Sequence, residues 1–323
     1  MKREIIVEGG TEKQITFITG AECKTRSNKQ LLNILKNNDV RNLRECGCAQ
    51  EGCNNRGGRG EMRAVLAVGK GHGFRYLCPD HYGLQGLKSY HSNNADVSYI
   101  GTKKNSDLAS TTIGVEFEVV LKDFEKDMPL LNIFRTSLSN YASARQEQDC
   151  TVHAEFPTGA FMGFNSLSKL LDSFEKYNIL EALTNNKQCG AHIHAGCTCV
   201  EYVRKNYEAI FKPLADSIYD MGPENRIKFF GSTFRDWADY PDWGEPEKHQ
   251  NIFNTQHSHT LEFRLPRCIT SKQYLQCCKA WRAVVCEINL SWQTESPEVI
   301  GRRLPIIFEK YYNFMNSYCN FEW

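Results

Sequence analysis

The segment Thr112-Ile113-Gly114-Val115-Glu116-Phe117-Glu118-Val119-Val120-Leu121 decides the fold. Successive side chains of a strand point to opposite faces. Ile113, Val115, Phe117, Val119 and Leu121 therefore share one face, and Glu116 and Glu118 share the other. Three further segments repeat the design. In Thr151 to Phe156, Val152, Ala154 and Phe156 oppose Thr151, His153 and Glu155, with Asp149 just upstream. In Ala191 to Ala195, Ile193 opposes His192 and His194. In Thr260 to Pro266, Leu261, Phe263 and Leu265 oppose Glu262 and Arg264. Four strands thus present an apolar face and a face of carboxylates, imidazoles and a guanidinium.

The apolar faces need cover, and the intervening sequence supplies amphipathic helices. Phe164, Leu167, Leu170, Leu171, Phe174, Tyr177 and Leu180 follow a 3.6-residue period, with Asn165 or Ser166 as the start signal. Val203, Tyr207, Ile210, Phe211, Leu214 and Ile218 predict a helix over 201–219. Tyr274, Cys278, Trp281, Val284, Val285 and Ile288 predict another after Ser271, and a last one covers 303–318. Helices on a sheet give an α+β architecture.

Each polar pair on the strands has a bland explanation when taken alone. A Glu-x-Glu is usually a solvated sheet face. A His-x-His is usually surface or core, and a Glu-x-Arg usually a surface pair. Together they crowd like charges, which is costly unless cations or water neutralise them. Such a face invites divalent metal. Oxygen-rich ligation with a single His favours Mg²⁺ or Mn²⁺, whereas thiolates favour Zn²⁺. A rival grouping, His192, His194, Cys197 and Cys199 around Zn²⁺, fits the residue types. Strand parity sets its two halves on opposite faces unless Gly196 breaks the strand. Cys277, Cys278 and Cys286 fall on an apolar helix face and read as small hydrophobes.

With 323 residues, one large or two modest domains are expected. The chain is 41% hydrophobic and 24% charged, which excludes a wholly disordered protein. Lys plus Arg number 39 against 38 Asp plus Glu, a net charge of +1, so composition implies no broad grip on nucleic acid or an anionic membrane. The apolar runs, of which Ala64 to Val68 is typical, are too short for a membrane-spanning helix. Met1 to Glu8 holds no apolar stretch of a secretion signal. The 14 Cys then read as reduced thiols of a cytoplasmic protein, better suited to metal than to disulfides.

Upstream of the four strands lies a different kind of sequence. Residues 3–7 and 14–18 read as strands, and Ser27 caps a helix through Leu31, Leu32, Ile34 and Leu35. Cys46-x-Cys48, Cys53 and Cys78-Pro79-Asp80-His81 offer thiolates and an imidazole for a closed tetrahedral Zn²⁺ site. Five candidates compete for four places, Cys48 or Cys46 being the first to drop, and His72 is a stand-in. Arg56, Arg59, Arg63 and Arg75 lie in or near this knuckle, where a solvated loop explains them as well as a nucleic-acid contact does. A strand covers 62–68. Residues 83–110, rich in Gly, Ser and Asn, read as a linker. The boundary is expected near 108, dividing an N-terminal module, 1–108, from a body, 109–323.

The body resembles the amidoligase family, carboxylate–amine ligases of the glutamine synthetase and glutamate–cysteine ligase fold. The resemblance rests on Gly114-Val115-Glu116-Phe117-Glu118, Asp149-Cys150-Thr151 with Glu155, Cys189-Gly190-Ala191-His192-Ile193-His194, and Thr260-Leu261-Glu262-Phe263-Arg264-Leu265-Pro266, in the family's order. It implies an antiparallel sheet curved into a funnel with helices on its outer face, ATP at one end, and two or three Mg²⁺ or Mn²⁺ ions. It implies that Glu116, His192 and Glu262 hold the ion bridging the ATP phosphates. Glu118, Asp149 and Glu155 would hold the ion facing the substrates, with Glu155 or Asp149 as the base. Arg264 would stabilise the transferring phosphoryl group, and His194 would lie near the nucleotide. Where members often carry an Arg followed by an Asn, this chain has Lys248 and Asn254. Arg226 and Arg235 are candidate phosphate or carboxylate clamps. The expected activity is ATP-dependent joining of an amino-acid, peptide or protein carboxylate to an amine, with the zinc module contacting a protein partner. The alternatives are a metal-dependent hydrolase on the same face and a non-catalytic, zinc-containing binding protein.

Overall fold

A computed structural model describes residues 1–50, 53–67, 72–82, 99–100, 111–121, 124–141, 154–180, 189–234, 238–267 and 270–319. The N-terminal elements are β1 (Lys2–Glu8), β2 (Thr11–Phe17), α1 (Gly20–Lys24), α2 (Asn28–Asn37), β3 (Asp39–Arg41), β4 (Cys46–Gly47), β5 (Arg56–Gly57), β6 (Arg63–Leu66), β7 (Phe74–Leu77) and α3 (Pro79–Tyr82). The remainder comprises β8 (Tyr99–Ile100), β9 (Ile113–Val119), α4 (Phe124–Tyr141), β10 (Ala154–Pro157), β11 (Ala160–Phe161), α5 (Phe164–Lys176), β12 (Ala191–Gly196), α6 (Val200–Lys205), α7 (Tyr207–Asp220), α8 (Gly222–Phe230), β13 (Phe253–Asn254), β14 (Thr260–Phe263), α9 (Ser271–Ser291) and α10 (Pro297–Cys319).

The result is a mixed α+β protein with open, mainly antiparallel sheets. The N-terminal sheet runs β1-β2-β3-β6-β7, and β4 pairs with β5 apart from it. The body sheet runs β13-β14-β12-β9-β11-β8, with β10 also pairing to β9. The β2–β3 and β8–β11 pairs are parallel. The boundary expected near 108 falls outside the described residues. β8, on its N-terminal side, is a strand of the body sheet.

The apolar alternation does what it predicts. Val115, Phe117, Ile193 and Phe263 are buried against helices α4, α5, α7, α9 and α10. Trp281 of α9 lies at the centre, its ring 5.1 Å from Phe263 and 5.5 Å from Phe253, with its indole N–H donating to the Leu261 carbonyl at 3.0 Å. Phe134 of α4 stacks on Phe174 of α5 at 4.6 Å and meets Phe117 of β9 edge-on at 5.6 Å. Gly301 lets α10 approach α7, since a Cβ there would lie 2.2 Å from the Ala209 carbonyl oxygen. The N-terminal region joins the same core: Leu31, Leu35 and Leu66 cluster with Leu131 and Phe117.

Several helix boundaries differ from the sequence expectation, for local reasons. Ser27 caps α2 as expected, in a reciprocal box with Gln30. The single helix expected over 201–219 is two, because Asn206 leaves helical geometry (φ −119°) and donates its side-chain amide to the Tyr202 carbonyl. α9 is capped by Thr270 rather than begun by Ser271, the Thr270 hydroxyl accepting from the Gln273 amide. α5 starts at Phe164 behind an extended Gly163, ahead of Asn165 and Ser166. The last helix begins at Pro297, a turn and a half before 303. Among the described residues, no helix is long and apolar enough to cross a membrane.

Candidate functional site

The register of the body sheet assembles the polar face. His192 of β12 stands opposite Glu116 of β9, and His194 stands opposite Glu262 of β14. Glu118 stands opposite Glu155 of β10, and Asn254 of β13 opposite Glu262. The His192 imidazole lies at the hub: its Nδ1 is 2.9 Å from Glu116 and 3.2 Å from Glu262, and its Nε2 is 3.6 Å from Glu118. Arg264 donates to Glu262 at 2.6 Å, both side chains being buried. The backbone holds the hub in place, for the Tyr274 hydroxyl of α9 donates to the His192 carbonyl at 3.2 Å.

Gly190 explains the Cys-Gly-Ala-His run. A Cβ at 190 would lie 2.5 Å from His192 Nε2 and 3.0 Å from a Glu118 oxygen. Its N–H donates to the Glu118 carboxylate while its carbonyl accepts from the Glu118 N–H. Only glycine leaves room for the carboxylate and imidazole to meet over the backbone.

Charge on this face is mutually sustained. Burial works to raise the carboxyl pKa of Glu116, but hydrogen bonds and charge from His192 and His194 override it and hold it well below the ordinary range. Burial opposes charge on Glu262 too, and Arg264, His194 and His192 pull its pKa down. Burial disfavours the His194 imidazolium, yet Glu116 and Glu262 raise its pKa.

Two groups of ligand atoms could hold a metal ion, each with all its atoms within 4.8 Å of one another: Glu116, His192 and Glu262, and His194, His257 and Glu262. Glu262 is common to both. The first is the trio that the family resemblance assigns to one ion. His194 Nε2 is buried 3.7 Å from Glu116, beyond ordinary hydrogen-bond length, and as an imidazolium it would have to give up its proton before it could bind a cation. The first group offers two carboxylates and one imidazole, the second two imidazoles and one carboxylate, and either donor set could hold a divalent metal ion. A cleft of ≈ 670 Å³ opens beside these residues, bounded by Gly114, Glu116, Thr158, His194, His257 and His259.

Other sequence candidates behave differently. Arg226 is no clamp: its buried guanidinium donates to the Ile218 and Tyr219 carbonyls at the end of α7 and to the Thr233 hydroxyl. A helix C-terminus offers unsatisfied carbonyls, and Arg226 answers them. Lys248 is turned to solvent and paired with Asp242 at 2.9 Å, leaving the sheet face. Asn254 spends its side chain on the loop, donating to the Lys248 carbonyl and accepting from the Gln256 N–H. Asp149 and Arg235 lie outside the described residues. Cys197 and Cys199 (Sγ to Sγ, 3.8 Å) are buried in the core and, among the described residues, join no imidazole in a ligand group. His257, whose ring is 5.2 Å from that of His194, and His249, whose pKa is lowered by burial and by Arg264, are additions. The signal for the first is a second His-x-His, His257-Ser258-His259, directly before the Glu-x-Arg strand.

In the N-terminal region, Cys48, Cys53, Cys78 and His81 form a further group that could hold a zinc ion. Cys78 Sγ is 3.1 Å and Cys48 Sγ 3.8 Å from His81 Nδ1. Cys46 is the candidate that drops out, its sulfur resting 3.7 Å from Met62 Sδ. His72 is engaged elsewhere, with the Cys23 carbonyl. Arg56 pairs with Glu45, Arg59 with Glu4, and Arg63 with Asp39 and Glu8. No protein-family model matches the chain, and no curated protein matches it.

Proposed function

We propose that this protein is an ATP-dependent carboxylate–amine ligase that forms an amide or isopeptide bond through an acyl phosphate. One observation carries the reading. Glu116, His192 and Glu262 converge from three adjacent strands, with Arg264 bonded to Glu262 on the same buried face and a cleft alongside. In this reading the sheet is the floor of a glutamine synthetase-like funnel, ATP enters beside His194, and Mg²⁺ or Mn²⁺ rests on the acidic face. The metal would supply neutralisation of phosphate charge.

The chain's own groups then have separable tasks. A substrate carboxylate oxygen attacks the γ-phosphorus, and ADP departs with the electrons of the broken P–O bond. Arg264 lies against the charge that develops. The amine attacks the acyl carbon, forming the C–N bond as inorganic phosphate leaves, and its proton passes to Glu155 or Asp149. The carboxylate belongs to an amino acid, peptide or protein, and the N-terminal region contacts the partner that carries it.

Calorimetry of ATP binding in Mg²⁺, on the wild type and on a Glu262→Ala, Arg264→Ala double variant, tests the nucleotide site. Hydroxylamine as a surrogate amine tests the chemistry, by trapping acyl phosphates as hydroxamates while ADP forms. ATP binding lost in the double variant is the expected result. A folded, metal-loaded wild type that ignores ATP overturns the proposal. The sharing of Glu262 between two ligand groups favours the second reading, a two-metal hydrolase that needs no nucleotide.

A further inference from the structure

His194, His257 and Glu262 bring two imidazoles and one carboxylate within 4.8 Å of one another, where the Glu116 group has two carboxylates and one imidazole. That exchange matters, because imidazole suits Zn²⁺, Fe²⁺ and Ni²⁺, whereas carboxylate with water suits Mg²⁺ and Mn²⁺. His194 stands opposite Glu262 in the β12–β14 register, and the His194 and His257 rings meet edge-on at 5.2 Å. Three protein ligands leave a coordination position open, the form that catalytic rather than closed structural sites take. The open side has a space to face, for His194 and His257 both line the ≈ 670 Å³ cleft, with Gly114, Glu116 and Thr158 on its walls.

His257 is exposed on the loop before β14, yet that loop is tied down on both sides of it. On one side Arg204 of α6 gathers its carbonyls, donating from Nε to Thr255 at 2.9 Å and from Nη2 to Gln256 at 3.1 Å and His257 at 3.4 Å. The Asn254 side chain accepts from the Gln256 N–H at 2.8 Å. On the other side the His259 carbonyl accepts from the Cys197 N–H at 2.9 Å, which joins the loop to the chain just past β12. A loop held in this way presents the His257 imidazole at little further cost in chain entropy, as a metal ligand on a loop requires.

We propose that His194, His257 and Glu262 form an open site for an imidazole-preferring divalent ion of the Zn²⁺ and Fe²⁺ class, whose remaining coordination position faces the cleft and takes an oxygen donor of a bound substrate. The site shares Glu262 with the Glu116 group but differs from it in the ion it selects, and it does not depend on the ligase reading. Co²⁺ is the probe, added to the full chain in excess Mg²⁺ after one equivalent of zinc has filled the thiolate group. One Co²⁺ per chain should bind with visible d–d bands and without the near-ultraviolet charge-transfer bands of thiolate ligation. Azide should shift those bands by taking the open position. His257→Ala should lose this ion while its Mn²⁺ affinity, read by calorimetry, stays that of the wild type. His259→Ala, which alters a neighbouring imidazole on the same cleft, should keep it. A wild type that binds no Co²⁺ under these conditions, or a His257→Ala variant that binds it unchanged, overturns the site. Equal loss in His259→Ala overturns the ligand assignment, an equal fall in Mn²⁺ affinity overturns the difference in selectivity, and bands that azide does not move overturn the open position.

Discussion

The described residues include two kinds of group that could hold a metal ion, and they are built in opposite ways. In the N-terminal region the ligands hang on loops and very short elements, three of the four are half-buried, and their sulfurs collect N–H donors. On the body sheet the ligands come from the middle of paired strands whose other face is the main core. There the carboxylates and imidazoles already bond one another and Arg264 before any ion arrives. Cys48 and Cys53 lie on a segment whose regular structure is two strands of two residues, so a metal there would add order that the backbone does not supply. Where a core fixes the donors, they are in place without a metal.

The largest way to break that contrast is to remove each metal in turn. Stripping zinc should loosen residues 46–82 first, since structural zinc contributes roughly 10 kcal/mol to the folding of small sites. Mn²⁺ on the acidic face should stabilise only by mass action, about 2.7 kcal/mol at a hundredfold excess over Kd. Thermal unfolding with and without each ion separates the two. Equal losses would show that both groups are structural, and the comparison would fail.

Next in size is the core beneath the sheet. Trp281→Ala removes the ring that stacks on Phe253 and Phe263 and the donor to the Leu261 carbonyl. It should cost about 3–5 kcal/mol in urea unfolding and weaken Mn²⁺ binding, while zinc stays bound. Loss of zinc with unchanged Mn²⁺ affinity would reverse the assignment of the core to the acidic site.

How much of this is legible in the sequence depends on periodicity. The alternation at 113–119, 191–195 and 260–263 exposes both the sheet and its polar face, because period two leaves no other place for Glu116, His192 and Glu262. Spacing does not settle α4: Asn132, Arg135 and Ser137 are buried together with Met128, Leu130, Leu131, Ile133, Phe134 and Leu138, so polarity does not mark an outer face, and Pro129 reads as a break. Single cations carry no pattern either, and Arg226 on α8 and Lys248 in a loop are settled by main-chain carbonyls and by Asp242, which only tertiary structure brings to them. His257 sits in such a loop as well.

A smaller perturbation sharpens the role of Gly190. Gly190→Ala sets a methyl group against His192 and Glu118. The expected cost is about 1–3 kcal/mol of overpacking, with Mn²⁺ affinity falling further than stability does. Calorimetric Mn²⁺ titration decides it, and wild-type affinity would mean that the His192–Glu118 approach is incidental.

The smallest effect lies in the pH dependence of the metal-free face. Glu116 titrates below the 4.5 of an unfolded chain, after the opposing effect of burial is overcome by His192 and His194. Its contribution is therefore complete above pH 4.5 and is lost as pH falls through the lower, folded value. His194 titrates above 6.5, burial again opposing and Glu116 prevailing. Its contribution is complete below pH 6.5 and is lost as pH rises through the higher, folded value. Glu116→Gln removes the first and weakens the second, which Glu262 also sustains, so the stability difference between wild type and variant should be greatest between pH 4.5 and 6.5, at about 1.5 kcal/mol, and shrink on either side. Urea midpoints of the two proteins across pH 4 to 9, without added divalent ion, measure it. A difference that stays flat across that range would mean that the buried ion pairs do not form until metal binds, and the sheet face would then resemble the zinc group more closely than its geometry implies.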